Sequence, residues 1–85
     1  MDMPSIRRLA PNFTQVNIAS VSVWFSYETP IAFAYGGQTV VCHNIWSSTT
    51  GRHLNKIDGG KKINRVSIEK FYELYRNAVA QPSGL

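Results

Sequence analysis

The sequence predicts an α+β fold: a three-stranded antiparallel β-meander, a short helix in a basic connecting segment, and a C-terminal α-helix packed on the sheet. Three observations carry that expectation. β-Branched and aromatic residues crowd the stretch "TQVNIASVSVWFSY" from Thr14. Gly36 and Gly37 separate two short alternating segments. Apolar residues recur at helical spacing in "VSIEKFYELYRNAVA".

Residues 1–13, with Pro4, Pro11 and the pair Arg7 and Arg8, read as an irregular arm. From Thr14 a strand begins, with Val21, Val23, Phe25 and Tyr27 on one face and Ser20, Ser22, Trp24 and Ser26 on the other. Val16 and Ile18 fall on the opposite parity, which predicts a bulge or register break near Ala19 and Ser20. "ETP" turns the chain, and "IAFAY" is a second strand that begins after Pro30, a residue unable to donate a ladder bond. Gly36 and Gly37 supply the positive backbone angles of a two-residue hairpin. "QTVVCHNIW" returns as the third strand, with Val41, His43 and Ile45 opposed to Val40, Cys42, Asn44 and Trp46.

Between sheet and C-terminal helix lies "SSTTGRHLNKIDGGKKIN". Thr49 or Thr50 is expected to cap a short helix in which Leu54 and Ile57 dock on the core while Arg52, His53, Asn55 and Lys56 face outward. The C-terminal helix presents Ile68, Phe71, Tyr72, Tyr75 and Val79 as its buried stripe, with Ser67 as N-cap and Glu69 near the positive end of the helix dipole. Residues 14–81 thus form a single β-β-β-α domain, and Pro82 and Gly84 open a tail over 82–85.

The chain of 85 residues allows one core, because a domain this small buries only about 60–65% of its unfolded surface. Its net charge of +4 is concentrated: Arg52, Lys56, Lys61, Lys62 and Arg65 stand against the single Asp58, while the charges elsewhere cancel. Clustered cations point to an anionic partner, since their field raises the encounter rate with phosphates. Cys42 is the only cysteine, so no intrachain disulfide forms and a cytoplasmic location in a host cell is expected. The uncharged run from Leu9 to Tyr27 is too rich in Asn, Gln, Ser and Thr to cross a membrane, and the N-terminus does not read as a signal peptide.

Catalysis would need a hydroxyl among Ser47, Ser48, Thr49 and Thr50 activated by His53, oriented by Asn55 or Asp58. All of these lie in one short turn with no oxyanion-hole signature and no paired carboxylates, so no enzyme is expected. Cys42, His43 and His53 do not make the paired four-ligand spacing of a structural zinc site, and Gly60-Lys61 lacks the rest of a phosphate loop. Neither metal nor cofactor is therefore expected. The constellation that remains is anion binding: hydroxyls and amides at the start of a short helix, surrounded by the basic cluster. Trp24 and Trp46 are candidates for stacking on unpaired bases or for an interface. One helix covers only one face of a three-stranded sheet, so Trp24, Val40, Cys42 and Trp46 are expected to form an exposed apolar face suited to homodimerisation or to docking on a host protein.

The segments "FSYETPIAF", "VVCHNIWSSTTGRHLNKIDGG" and "RVSIEKFYELY" resemble a group of small phage- and plasmid-borne proteins of unknown function. The shared feature is an aromatic or Asn, then Ser, a Thr pair and a basic-His-x-Asn ending, here Trp46, Ser47, Thr49, Thr50, Arg52, His53 and Asn55. The resemblance implies a mobile-element origin and supplies no catalytic residue. The expected function is that of a small non-enzymatic accessory protein that binds DNA or RNA through Arg52, Lys56, Lys61, Lys62 and Arg65. Ser47, Thr49, Thr50, His53 and Asn55 would set the geometry. The alternative is an inhibitor or modulator of a host enzyme or defence complex, anti-CRISPR-like, whose basic segment clamps an acidic protein surface.

Overall fold

A computed structural model describes residues 4–80, in which a five-stranded antiparallel sheet carries one α-helix on each face. The strands are β1 (Ser5–Ala10), β2 (Phe13–Ile18), β3 (Val21–Ser26), β4 (Thr29–Tyr35) and β5 (Gln38–Val41), followed by α1 (Ser48–Asp58), a 3₁₀ turn (Lys62–Asn64) and α2 (Ile68–Ala80). The strands lie in sequence order, and each hairpin turns through two residues. The α+β class matches the expectation; the strand number does not.

Two misreadings account for the difference. The stretch expected to be an irregular arm holds β1, an edge strand paired only to β2 and exposed along nearly its whole length. A strand that buries neither face leaves no hydrophobic alternation to read. The single long strand expected from Thr14 is two strands, because Ala19 and Ser20 form a hairpin turn and not a bulge. Antiparallel reversal places Val16 opposite Val23 and Ile18 opposite Val21, so residues of opposite parity share a face. Ala19 takes φ 53°, a left-handed angle that usually calls for Gly or Asn, which is why the turn carried no signal. Gly36 and Gly37, at φ 61° and 80°, do make the expected hairpin.

The third expected strand is shorter than "QTVVCHNIW". After Val41 only Cys42 continues, in a parallel bridge with Val66. The Asn44 side chain then breaks the extended path: its Oδ1 accepts from Trp46 N, and its Nδ2 donates to the Ser47 carbonyl, both at 3.0 Å.

Register decides what each helix covers. Val23, Phe33 and Val40 align across β3, β4 and β5 and, with Cys42, meet Phe71 and Ala78 of α2. Trp24, Ala32 and Val41 align on the opposite face. There they join Phe13, Ile31 and Leu54 beneath α1, and Ile31 reaches the same side as Ala32 through the irregularity opposite Trp24 and Phe25. The expected exposed apolar face is thus absent: Val40 and Cys42 point to α2, and Trp24 is half-buried under α1. A homodimer through that face loses its surface. Each fully buried Leu, Ile or Phe contributes about 1.5–3 kcal/mol, so these two clusters, one on each face, hold the helices to the sheet.

Ser67 caps α2 as expected, its Oγ accepting from Lys70 N at 3.2 Å. The buried stripe runs through Phe71 and Ala78 with Leu74 and Tyr75 partly covered; Val79, expected inside, is exposed. Phe33, Phe71 and Tyr75 form an aromatic cluster with ring centroids 5.7–5.9 Å apart.

Candidate functional site

The start of α1 is built by its own short side chains. Ser47, not Thr49 or Thr50, is the N-cap: its Oγ accepts from Thr50 N at 3.3 Å. Gly51, one turn in, touches the Asn44 side chain. A Cβ there would stand 2.9 Å from Asn44 Nδ2, so the loop that caps the helix lies directly against its backbone. Gly59 closes the helix at φ 68°, with its N–H bonded to Asn55 O.

His53 and Thr50 point inward. His53 is 4% and Ser26 2% exposed. Ser26 Oγ lies 2.7 Å from His53 Nδ1 and 2.9 Å from Thr50 Oγ1. The Pro11 carbonyl lies close enough to the imidazole to favour its charged form, against the effect of burial. The Ser26 hydroxyl thus bridges His53 and Thr50, with one bond to each. Phe13 stacks on the imidazole at 4.7 Å and an interplanar angle of 4°. Burial, reinforced by the charge of Lys56, holds the His53 pKa below its ordinary value. The expectation that His53 faces outward is corrected: on α1 it shares the inner face with Thr50 and Leu54, and its Nδ1 meets the end of β3. Ser26 carries no motif in the sequence; only the register of β3 brings it beneath α1.

Arg65, counted among the phosphate-binding cations, lines a groove beside α1 but is engaged by an internal partner. It is buried and bidentate to Asp58, with Nε to Oδ2 at 2.8 Å and Nη2 to Oδ1 at 3.0 Å, while Nη2 also donates to Asn55 Oδ1 at 2.9 Å. Gly60 N donates to Asp58 Oδ1 at 2.9 Å. The hydrogen bond from Arg65 holds the Asp58 carboxyl below its usual range, and the same bond raises the guanidinium pKa. This clip ties the end of α1 to the strand-like residue Val66 and closes the loop that carries Lys61 and Lys62.

The remaining cations stand free of it. Among the described residues Arg52, Lys56, Lys61 and Lys62 are exposed and enter no salt bridge, since the only two present are Arg65–Asp58 and Lys70–Glu73. Arg52, Lys62, His43, Ser48 and Asn55 line a groove of about 780 Å³ between the post-β5 loop, α1 and the 3₁₀ turn. Gly51 and Arg65 also line it, as do Asn44 and Ile45, which the strand reading of their stretch did not point to. Lys56 and Lys61 lie outside the lining, Thr49 is half-buried, and Trp46 is 38% exposed at the other side of the α1 start. Among the described residues no three His, Cys, Asp or Glu side chains gather as a metal ion would require, and no helix is long and apolar enough to cross a membrane.

A family model described as "Family of unknown function (DUF8033)" matches residues 1–73. The chain belongs to the DUF8033 family. The match spans every strand, α1 with its cap and groove, and the first turns of α2, so the whole candidate site lies within the DUF8033 domain. No curated protein and no solved structure matches this DUF8033 chain.

Proposed function

We propose that this DUF8033 protein is a small non-enzymatic accessory protein that binds nucleic acid through the groove beside α1. The observation that supports this reading is a charge separation. Asp58, the only acidic residue between Arg52 and Arg65, is neutralised by Arg65, which leaves Arg52, Lys56, Lys61 and Lys62 exposed and unopposed, with Arg52 and Lys62 lining a concave surface. Exposed cations with no internal partner attract phosphate and release its counterions. The resemblance to phage- and plasmid-borne proteins supports placing it among accessory proteins of mobile elements.

Binding to labelled DNA or RNA should fall with salt at a logarithmic slope of about −3 to −4, as four phosphate contacts require. The double variant Arg52→Glu, Lys62→Glu should abolish it, while Arg7→Glu, Arg8→Glu on the opposite sheet edge should leave most of it. No binding at low salt would refute the reading. One observation favours a second: Ile63, 92% exposed between Lys62 and Asn64, is the kind of apolar anchor a protein partner would cover. On that reading the same surface clamps an acidic face of a host enzyme or defence complex, with weaker salt dependence.

A further inference from the structure

A second depression lies across the first turn of α1 from the groove. It measures about 150 Å³ and is lined by Tyr27 and Trp46 as its aromatic members, with Thr29, Ser47, Ser26 and Thr50 around them. Ser47 belongs to this slot and Ser48 to the groove, so the two sites are separated by one peptide unit at the helix start. Cations therefore gather on one side of the turn and exposed aromatics on the other, with Tyr27 53% and Trp46 38% exposed.

We infer that the nucleic acid is single-stranded and that one unpaired base enters the slot between Tyr27 and Trp46 while the adjoining phosphates lie in the groove at Arg52 and Lys62. The inference rests on the reading proposed above and narrows it. A duplex stacks its base faces inward and offers a protein only phosphates and groove edges. It gives Trp46, Tyr27 and the apolar wall residue Ile45, 57% exposed, nothing to pack against. A single strand offers both phosphates and flat apolar base faces, which suits cations on one side of the turn and aromatics on the other. The slot has room for one flat heterocycle and not for a base pair. Its floor is rigid, because Ser26 and Thr50 are held by His53 and by each other. The Thr29 hydroxyl is left for the edge of the base.

The test is fluorescence anisotropy of labelled oligothymidylate and of a mixed-sequence duplex of equal length at low salt, with wild type, Trp46→Ala, Trp46→Phe and the groove variant Arg52→Glu, Lys62→Glu. Thermal melts of the variants serve as folding controls. Oligothymidylate should bind more tightly than duplex. Trp46→Ala should weaken it about 5- to 100-fold, the loss of one base–aromatic stack, and Trp46→Phe should stay within a few-fold of wild type. Quenching of indole fluorescence by the oligonucleotide should accompany binding and shrink in Trp46→Phe. Duplex bound as tightly as single strand, or Trp46→Ala binding unchanged, would overturn the inference; if the groove variant still lost binding, the nucleic-acid reading would survive it. No binding to either probe would remove both.

Discussion

Ser26 Oγ lies 2.7 Å from His53 Nδ1 across 27 residues of sequence, and this bond fastens the end of β3 to the middle of α1. Burial at this junction of helix and sheet disfavours the charged imidazole.

Stability should therefore fall on mild acidification. The His53 pKa is lower in the folded chain than its ordinary 6.5, so the unfolded chain binds the proton first. The contribution is complete above about pH 6.5 and is lost as pH drops from there through the lowered folded value. Urea midpoints measured between about pH 7 and pH 5 should decline for wild type. His53→Gln, less stable throughout, should lack that slope. Ser26→Ala should destabilise by about 1–3 kcal/mol, since His53 Nδ1 and Thr50 Oγ1 both lose a buried partner.

The Arg65–Asp58 clip should be stronger than a surface ion pair, because both partners are largely covered. Arg65→Ala strands the Asp58 carboxylate and should lower unfolding free energy by about 3 kcal/mol or more, measured by urea titration. Asp58 has a depressed folded pKa, so its share of stability is present above its ordinary value near 3.8 and is lost as pH falls through the lower folded value. That loss should be missing from acid titrations of Asp58→Asn.

Gly51→Ala ought to raise helix propensity by about 1 kcal/mol if α1 stood alone. In this fold the added methyl meets Asn44 Nδ2 at 2.9 Å. The expected result is destabilisation by about 1–3 kcal/mol. The double variant Asn44→Ala, Gly51→Ala should recover part of the packing loss, giving a non-zero coupling energy in the double-mutant cycle.

Cys42 is fully buried, and burial with the nearby Glu69 charge pushes its thiol up to about 11. A shift from 9.0 reduces the thiolate at neutral pH by about 100-fold before access is considered. Labelling by a disulfide reagent should be slow in buffer and fast in urea. Rapid stoichiometric labelling of the folded chain would contradict the packing of β5 against α2.

Local pattern was enough for much of this protein. The α+β class, the Gly36-Gly37 hairpin, the helix from Ile68 with its Ser67 cap, and the docking of Leu54 follow from spacing and backbone chemistry that act within a few residues. The concentration of cations between Arg52 and Arg65 is likewise a property of composition. The tertiary structure decided which of those residues are available. Arg65 turns inward because Asp58 and Asn55 lie within hydrogen-bond reach only when the loop closes. His53 and Thr50 turn inward because Ser26 and Pro11, distant in sequence, arrive beneath α1 only through hairpin registers that no turn residue announces at Ala19. A side chain's partner across a sheet is a long-range fact, set by strand order and register, and that is why the buried half of the motif and the groove on its outer side had to be read from the fold.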